Sequence, residues 1–361
     1  MLRRSSDMTH AFISLKTQFE NLGDALINRE LIKIVSARVP TTVDLTRSPA
    51  SFHSTMELER ISNINLLTKF RGVFFFQMMK KALSGETCYF FLNPGGLGGG
   101  VGNSVGAFCK SHLYNCALLL LKVIGVRICH VGISYEKMKW KEASVAKLRS
   151  WACFNFSVRD GESFDYIRTL GVKTNEIVPD LSFNLYCEPL NTDTCKRYAG
   201  AFSFRTDKGN SPDDLKSFAR RVIYGAAGDT RFLFVSQVRR DSRIMQELQQ
   251  QLGAEFGPQR LHFADCHADF NRAVSLYREC DTLYSNRLHA LLLAAYAHAK
   301  PVAVINLQRQ RKIAALFEDL GLSNNVCELS AVSMNAKEAN LDRFVQESKN
   351  LNDFFNRLLN D

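Results

Sequence analysis

Arg287 and His289, two residues apart within residues 281–306, are candidates for a direct role in catalysis or binding. An arginine can hold a phosphate or carboxylate through two parallel hydrogen bonds, and a histidine exchanges a proton near neutral pH. Ser285 and Asn286 precede them and are further candidate binding residues. The pattern favours an anion site with a proton donor beside it, and the alternative is a surface arginine and a helix-capping histidine.

The elements that would position these residues are a strand over 282–285, a helix over 288–298 and a second strand over 302–306. Apolar residues spaced three and four apart predict the helix, and Pro301 prevents it from continuing. First-turn N–H groups lack partners within a helix and attract anions. Residues two apart point to opposite sides of a helix, so Arg287 must precede it to share a ligand with His289. A helix N-terminus also disfavours a protonated histidine, so His289 would act as an acid only beside a bound anion.

A second strand-to-helix turn, near the start of the chain, carries Asn21, Gly23 and Asp24. The glycine allows a close approach of the backbone to a ligand, and the aspartate can cap the following helix. The alternative is a capped turn without a ligand. We expect these three residues to contribute to substrate binding.

A glycine-rich stretch at 95–100 follows the apolar run 87–92. Gly95 and Gly96 could bring the backbone against a ligand. The spacing does not match the dinucleotide-binding fingerprint, and the Gly-Lys-Ser/Thr ending of a phosphate-binding P-loop is missing. The stretch therefore predicts a ligand-facing loop without specifying the ligand.

Strands and helices alternate along the chain at roughly 25-residue intervals, which is typical of parallel sheets covered by helices. Ser134, Arg159 and Asp160 fall at strand ends, where such sheets bind ligands. We predict an α/β protein with two doubly wound, Rossmann-like domains facing a cleft. The expected parts are an N-terminal, acceptor-side domain (1–187), a linker (188–197), a C-terminal domain (198–335) and an amphipathic helix (336–361).

Composition limits the classes of function. A net charge of +10 favours acidic partners, but we expect no nucleic acid, because the basic residues are dispersed and no recognition motif is present. The ten cysteines form no CxxC pair, and we expect neither disulfides nor a metal site. Without an apolar signal segment, we expect a cytoplasmic protein whose basic surface could contact the inner face of the membrane. The sequence leaves the oligomeric state open.

The motifs together resemble the polysaccharide pyruvyl transferase family over roughly residues 10–325. The resemblance lies in their order: Asn21-Leu22-Gly23-Asp24, the glycines of 95–100, Gly132-Ile133-Ser134, Ser157-Val158-Arg159-Asp160 with Ser163, Pro179-Asp180, Ser203-Phe204-Arg205, Ser285-Asn286-Arg287-Leu288-His289-Ala290, and Lys312 before Phe317 and Gly321.

The resemblance implies a GT-B-like fold and the transfer of pyruvate from phosphoenolpyruvate to a sugar diol as a ketal, without a cofactor. It also implies that Arg159, Arg287 and His289 face the donor. The lysine of the family motif would be Lys312, although it stands further from the Arg-Leu-His motif than is usual. The acceptor would be a glycan or a lipid-linked sugar.

Two other functions remain open. The same architecture and anion site would serve a glycosyltransferase that uses a nucleotide sugar, although the C-terminal half has no Glu-x7-Glu pair placed to hold one. A homologue without catalytic activity could bind glycan alone. Asp24 or Asp160 could orient an acceptor hydroxyl, or each could be a helix cap.

Overall fold

The structure, a computed structural model, describes residues 8–96, 104–188, 190, 194–207, 210–330 and 336–360. The chain divides into two compact units. The first unit comprises Met1–Thr17, Ile27–Asn184 and Asn350–Asp361, and the second comprises Gln18–Leu26 and Leu185–Lys349. The second unit therefore includes a short segment from near the start of the chain.

The first unit is built on a parallel sheet. Its strands are β1 (Thr9–Ser14), β2 (Thr41–Asp44), β3 (Ile64–Leu67), β4 (Thr87–Phe91), β5 (Gly95–Gly96), β6 (Arg127–Ser134) and β7 (Asn155–Val158). Its helices are α1 (Leu22–Ser36), whose residues 22–26 group with the second unit, α2 (Ala50–Met56), α3 (Arg71–Leu83), α4 (Val105–Val123), α5 (Trp140–Ala152) and α6 (Gly161–Thr169), with 3-10 turns at Leu58–Arg60 and Leu181–Cys187.

The strand order is β3-β2-β1-β4-β6-β5, and β7 also pairs with β6. Ile13 of β1 pairs with Val43 of β2 on one side and with Phe91 of β4 on the other. The chain thus winds outward in both directions from β1 and β4. In a doubly wound sheet this reversal is where ligands bind, at the carboxyl ends of the strands.

One face of this sheet is covered by α3, α4, α5 and α6. Phe12, Phe90 and Phe156 project from three strands into a single buried cluster with Phe74 of α3 and Leu118 of α4. The core residues of α5 and α6 that join this cluster are Ala146, Ala152 and Ile167. The outward sides of α3, α4 and α5 therefore belong to one surface of the first unit.

The second unit repeats the same plan. Its elements are β8 (Tyr198–Ser203), α7 (Pro212–Tyr224), β9 (Phe232–Ser236), α8 (Arg239–Phe256), β10 (Leu261–Asp265), α9 (Phe270–Arg278), β11 (Cys280–Ser285), α10 (Leu288–Tyr296), β12 (Lys300–Val304), α11 (Arg311–Asp319), a 3-10 turn (Ser323–Asn325), β13 (Val326–Cys327) and α12 (Leu341–Asn360), which continues into the first unit. The strands are parallel and lie in the order β10-β9-β8-β11-β12-β13. The chain moves across the sheet in one direction from β8 to β10 and in the other from β11 to β13, so the strand order reverses between β8 and β11.

The end of α10 differs from the sequence expectation. The helix stops at Tyr296, and His298 takes a left-handed backbone (φ 56) before β12 begins at Lys300. Pro301 lies within β12, where it pairs with Leu283. A proline is tolerated there because the pairing of β12 with β13 begins only at Ala303, so no ladder partner needs the missing N–H on that side.

Two further expectations from the sequence concern disulfides and membrane-spanning helices. None of the ten cysteines forms a disulfide. Across the described ranges, no helix combines the length and apolar character that would be needed to cross a membrane.

Candidate functional site

The junction between β11 and α10 lies where the strand order of the second unit reverses. β11 ends at Ser285, and Arg287 has an extended backbone (φ −112, ψ 120) as the N-cap of α10. Its carbonyl oxygen accepts a hydrogen bond from the N–H of Leu291, at 3.1 Å. Arg287 therefore precedes the helix proper, which is the geometry needed for it to share a ligand with His289.

Asn286 fixes this junction to the neighbouring strand. Its side-chain amide donates to the carbonyl of Arg205 (2.9 Å) and its amide oxygen accepts from the N–H of Arg205 (2.8 Å). The hydroxyl of Ser285 donates to the carbonyl of Ser203 at 2.6 Å and accepts from the N–H of Arg287 at 3.0 Å. Ser285 and Asn286 are fully buried, so these bonds hold the ends of β8 and β11 rigidly together.

Arg287 forms a buried ion pair with Asp241, in the first turn of α8. The two side chains are only 9% and 5% exposed. Burial lowers the pKa of Arg287 below its usual value, and the charge of Arg205 lowers it further. The ordinary pKa of an arginine is so high that the guanidinium stays charged at neutral pH even after this decrease. The pair therefore holds a charged guanidinium in a fixed position inside the protein.

Two more arginines and an aspartate surround this pair. Asp207 accepts hydrogen bonds from Arg205 and Arg240. Burial alone would raise the pKa of Asp207, but the bond from Arg205 and the charges of Arg205, Arg240 and Arg287 hold that pKa below its usual value. Three guanidinium groups and the carboxylates of Asp207 and Asp241 thus converge at the carboxyl edge of the sheet, where arginine N–H groups that these carboxylates do not use could bind an anion.

The segment Gln18–Leu26 brings three predicted residues against His289. A Cβ atom on Gly23 would lie 2.4 Å from Nδ1 of His289, so only glycine fits against this imidazole. The N–H of Gly23 donates to the side-chain oxygen of Asn21 (3.0 Å), and Asn21 Nδ2 donates to Asp24 (3.0 Å). The predicted residues Asn21, Gly23 and Asp24 therefore form one turn beside the half-buried His289.

This segment is held by the loop after β9. The N–H of Leu22 donates to the carbonyl of Gln237 at 3.0 Å, and the N–H of Arg239 donates to the carbonyl of Glu20 at 3.1 Å. Arg239 and Glu20 also form an ion pair. The position of Gly23, and with it the space left for His289, is therefore set by backbone bonds.

Lys312 lies in the first turn of α11, close in sequence to Gln310. The side-chain amide of Gln310 donates to the carbonyl of Asn286 at 3.1 Å. The start of α11 is thus tied to the junction that carries Arg287, and Lys312 is half-buried there.

The remaining predicted residues belong to the first unit. Ser134 donates to Asp160 at 2.8 Å, and Asp160 caps α6 by accepting from the N–H of Ser163. Gly96 pairs with Ser134 through β5. Gly95 has a left-handed backbone (φ 97) that favours glycine. The rest of the predicted glycine loop, 97–103, lies outside the described residues.

Arg159, which follows β7, forms an ion pair with the buried Asp180. Both residues belong to the first unit, whereas Arg287 and His289 belong to the second. The resemblance matched Asp180 within a motif without giving it a role. Its carboxylate accepts from the N–H and hydroxyl of Ser182 as well, so it orients Arg159 firmly.

The first unit has its own group of basic residues around Lys16, which follows β1. Partial burial lowers the pKa of Lys16, and the charges of Arg149, Lys110, Arg71 and Arg47 lower it further. Arg149 is 9% exposed and donates to Asn115 at 3.0 Å. Such a cluster suits an anionic group of a ligand.

Sequence reasoning missed Asp241, Asp207 and Arg240. Their positions relative to the strands could have identified them, because Arg240 and Asp241 come shortly after β9 and Asp207 comes shortly after β8. Strand ends of a parallel sheet meet at one edge, so these residues could have been grouped with Arg287. In the described ranges, no group of three or more His, Cys, Asp or Glu residues could hold a metal ion.

The chain matches a known protein family and is similar in fold to known structures. The family profile for "Polysaccharide pyruvyl transferase" matches residues 21–309. A search of curated proteins found no match. Among solved structures, Anabaena Alr3699/HepE in complex with UDP is similar at 13% identity and a TM-score of 0.57, covering 98% of this chain and 94% of that one.

UDP-GlcNAc 2-epimerase from Neisseria meningitidis, bound to UDP-GlcNAc, is similar at 9% identity and a TM-score of 0.54, covering 98% of this chain and all (100%) of the other. At these identities the likeness concerns the fold alone. It confirms the predicted architecture of two Rossmann-like domains of the GT-B type.

Gly23→Ala should displace the imidazole of His289, because the added Cβ would stand 2.4 Å from Nδ1. We expect the His289 ring signals in NMR spectra to shift and the free energy of unfolding to fall by about 1–3 kcal/mol. Gly228→Ala in the same unit is a matched control, since nothing lies within 4 Å of its added Cβ. Unmoved His289 signals in Gly23→Ala would contradict the contact.

Asp241→Ala should lower the free energy of unfolding by about 3–5 kcal/mol, because Arg287 would stay buried without its carboxylate. The double variant Asp241→Leu/Arg287→Met should be much closer to the parent protein, since no charge is left unpaired. Urea unfolding measures both. Glu247→Ala, which breaks the exposed pair with Arg243, is the control and should change little. A double variant as unstable as Asp241→Ala would count against a buried pair.

Proposed function

Since the chain belongs to the polysaccharide pyruvyl transferase family, we propose that it moves pyruvate from phosphoenolpyruvate onto a sugar diol as a ketal. The observation that supports this donor best is the buried Arg287 at the start of α10, with His289 two residues later. The acceptor that we propose is a glycan or a lipid-linked sugar of a surface polysaccharide. The reaction needs neither a metal nor an organic cofactor.

The proposed reaction begins with a proton added to the methylene carbon of phosphoenolpyruvate, which leaves a cation at the neighbouring carbon. One sugar hydroxyl attacks this carbon and loses its proton. The bond to phosphate then breaks, and the second hydroxyl closes the ring and loses its proton. The products are the ketal and inorganic phosphate. The protein must therefore hold a trianionic donor and supply one proton. Of the two protons that the hydroxyls release, one replaces the proton supplied and the other leaves with phosphate.

The anionic donor would bind at the N-terminus of α10. Asp241 accepts from only part of the Arg287 guanidinium, which carries five N–H donors, so others remain for a ligand. The N–H groups of a first helical turn have no partner within the helix and could add further donors. Because Asp241 and Asn286 hold the site in place before the ligand arrives, little reorganisation is needed when phosphate begins to leave.

His289 is the proposed general acid. It stands in the first turn of α10, two residues after Arg287. Gly23 limits the positions that the ring can take. Such positioning matters because proton transfer requires hydrogen-bond distance.

Arg159 and Lys312 are proposed as further contacts for the donor or acceptor, with Ser134, Gly95 and Gly96 on the acceptor side. Asp24 accepts hydrogen bonds within its own turn, and Asp160 accepts one within its turn and one from the hydroxyl of Ser134. Their observed contacts are those of helix caps and turn residues. The two protons released by the acceptor are therefore not assigned to a particular carboxylate.

A glycosyltransferase that uses a nucleotide sugar is the second candidate. The observation in its favour is that Anabaena HepE and the Neisseria epimerase, which share the fold, were solved with UDP and with UDP-GlcNAc. The arginine cluster would suit a diphosphate as well. A glycan-binding protein without turnover is the third candidate.

Calorimetric titration distinguishes the candidate donors. We expect saturable binding of phosphoenolpyruvate that weakens by about tenfold or more, roughly 1.4 kcal/mol, in Arg287→Lys, because a point charge cannot replace a bidentate fork. Arg243→Lys, an exposed arginine of α8, is the matched control. Binding of UDP or a UDP-sugar, with none of phosphoenolpyruvate, would make the glycosyltransferase reading correct instead.

His289→Asn should reduce turnover by about 10²–10⁴-fold, since the general acid is lost, while the Kd for phosphoenolpyruvate stays within about tenfold. Phosphate release in the presence of glycosides that carry a free diol measures turnover. His298→Asn is the control, because His298 has a left-handed backbone that asparagine adopts readily. Full activity of His289→Asn would exclude His289 as the acid, and no phosphate release from the parent protein with any diol would favour the silent homologue.

A further inference from the structure

The outward sides of α3, α4 and α5, which we call the apolar-basic face, hold most of the large hydrophobic side chains that are exposed among the described residues. Of the sixteen large hydrophobic residues that are exposed in the described part of the chain, twelve lie within residues 70–154. Isolated exposed hydrophobic residues are normal, but a concentration on one surface marks a binding surface.

The clearest part of this face is a stripe along α4. Exposed residues recur three and four apart over the whole helix: Val105, Cys109, Leu113, Cys116, Leu120 and Val123. Leu113, Leu120 and Val123 are 74%, 69% and 83% exposed. The opposite side of α4, with Leu118 and Leu121, packs into the core. The helix is thus apolar on both sides, and one of these sides has no protein cover among the described residues.

α3 and α5 continue the face. On α3, Phe76 and Leu83 are 62% and 73% exposed, and Phe70 at its N-cap is 70% exposed. On α5, Trp140 and Trp151 are 71% and 54% exposed. These are the only two tryptophans in the sequence. Both large aromatic side chains therefore stand in solvent on the same surface, where tryptophan is otherwise uncommon.

Positive charge is interleaved with these residues. The stretch 69–154 contains twelve Lys and Arg against three Asp and Glu, so it carries +9 of the chain's net charge of +10. Lys141 lies 5.7 Å from the ring of Trp140, and Lys147 lies 6.0 Å from the ring of Trp151. The basic groups thus flank the exposed aromatic residues directly.

We propose that the apolar-basic face binds an anionic lipid bilayer, with the apolar side chains in the headgroup region and the lysines at the lipid charges. Tryptophan is enriched at this depth, and interfacial helices combine Trp, Phe and Leu with flanking Lys and Arg. A protein partner fits less well, because lysine is depleted at protein interfaces. Anionic lipids at the membrane surface would attract the basic residues of this face. This inference does not depend on the proposed reaction.

Intrinsic fluorescence tests the proposal with the unmodified full-length protein, since both tryptophans lie on the face. We expect a blue shift and quenching by bromine-labelled lipid when vesicles contain phosphatidylglycerol at about one lipid in three. Vesicles of phosphatidylcholine alone should bind much more weakly. Raised salt should weaken binding to the anionic vesicles, because it screens the basic residues.

Vesicle co-sedimentation then locates the surface. Leu113→Gln/Leu120→Gln should weaken partitioning by on the order of tenfold or more, because two apolar contacts are lost. Tyr224→Ser, 81% exposed in the second unit, is the matched control and should bind like the parent protein. Absence of vesicle binding by the parent protein would overturn the proposal. So would self-association that is lost in Leu113→Gln/Leu120→Gln without any vesicle binding, which would make the face a contact between two copies.

Discussion

The link on which the candidate site depends is the pair of hydrogen bonds between the side chain of Asn286 and the backbone of Arg205. These bonds join the ends of two neighbouring strands at the reversal of the sheet, where neither backbone group has a ladder partner. With the ends fixed, Arg287 leaves the strand extended and α10 begins at the next residue. The direction of the arginine, the start of the helix and the position of His289 all follow from that geometry.

The charges at the site stabilise a geometry more than they stabilise the fold. Burying Arg287 with Asp241 costs desolvation that their attraction roughly offsets, so such a pair contributes little net stability. What it supplies is a guanidinium whose direction is set before any ligand binds. Asp207, shared between Arg205 and Arg240, does the same for the two outer arginines. A preorganised cluster of this kind would suit the departing phosphate of the proposed reaction.

The sequence predicted the parallel architecture and the residues at the β11–α10 junction because both follow from local patterns. Alternating strands and helices specify the sheet, and Ser285, Asn286, Arg287 and His289 follow one another directly. The ion pair with Asp241 was missed because that partner is far away in sequence and has no spacing signal. The apolar stripe on α4 was missed for another reason: periodicity shows that a helix has apolar sides, but only packing shows which of them is covered.

The discontinuous course of the chain has a consequence for folding. The second unit requires the segment Gln18–Leu26, which is synthesised before any strand of that unit. The first unit requires Asn350–Asp361, which is synthesised after all the strands of both units. The first unit therefore cannot complete its contacts until Asn350–Asp361 has been made, and neither unit folds as one continuous segment, as domains ordinarily do. Many native contacts join residues far apart in sequence, which slows folding and prolongs the time that unfinished sheets stay exposed. Cutting the chain near residue 187 would likewise separate Gly23 from His289, so neither fragment would contain the complete β11–α10 site.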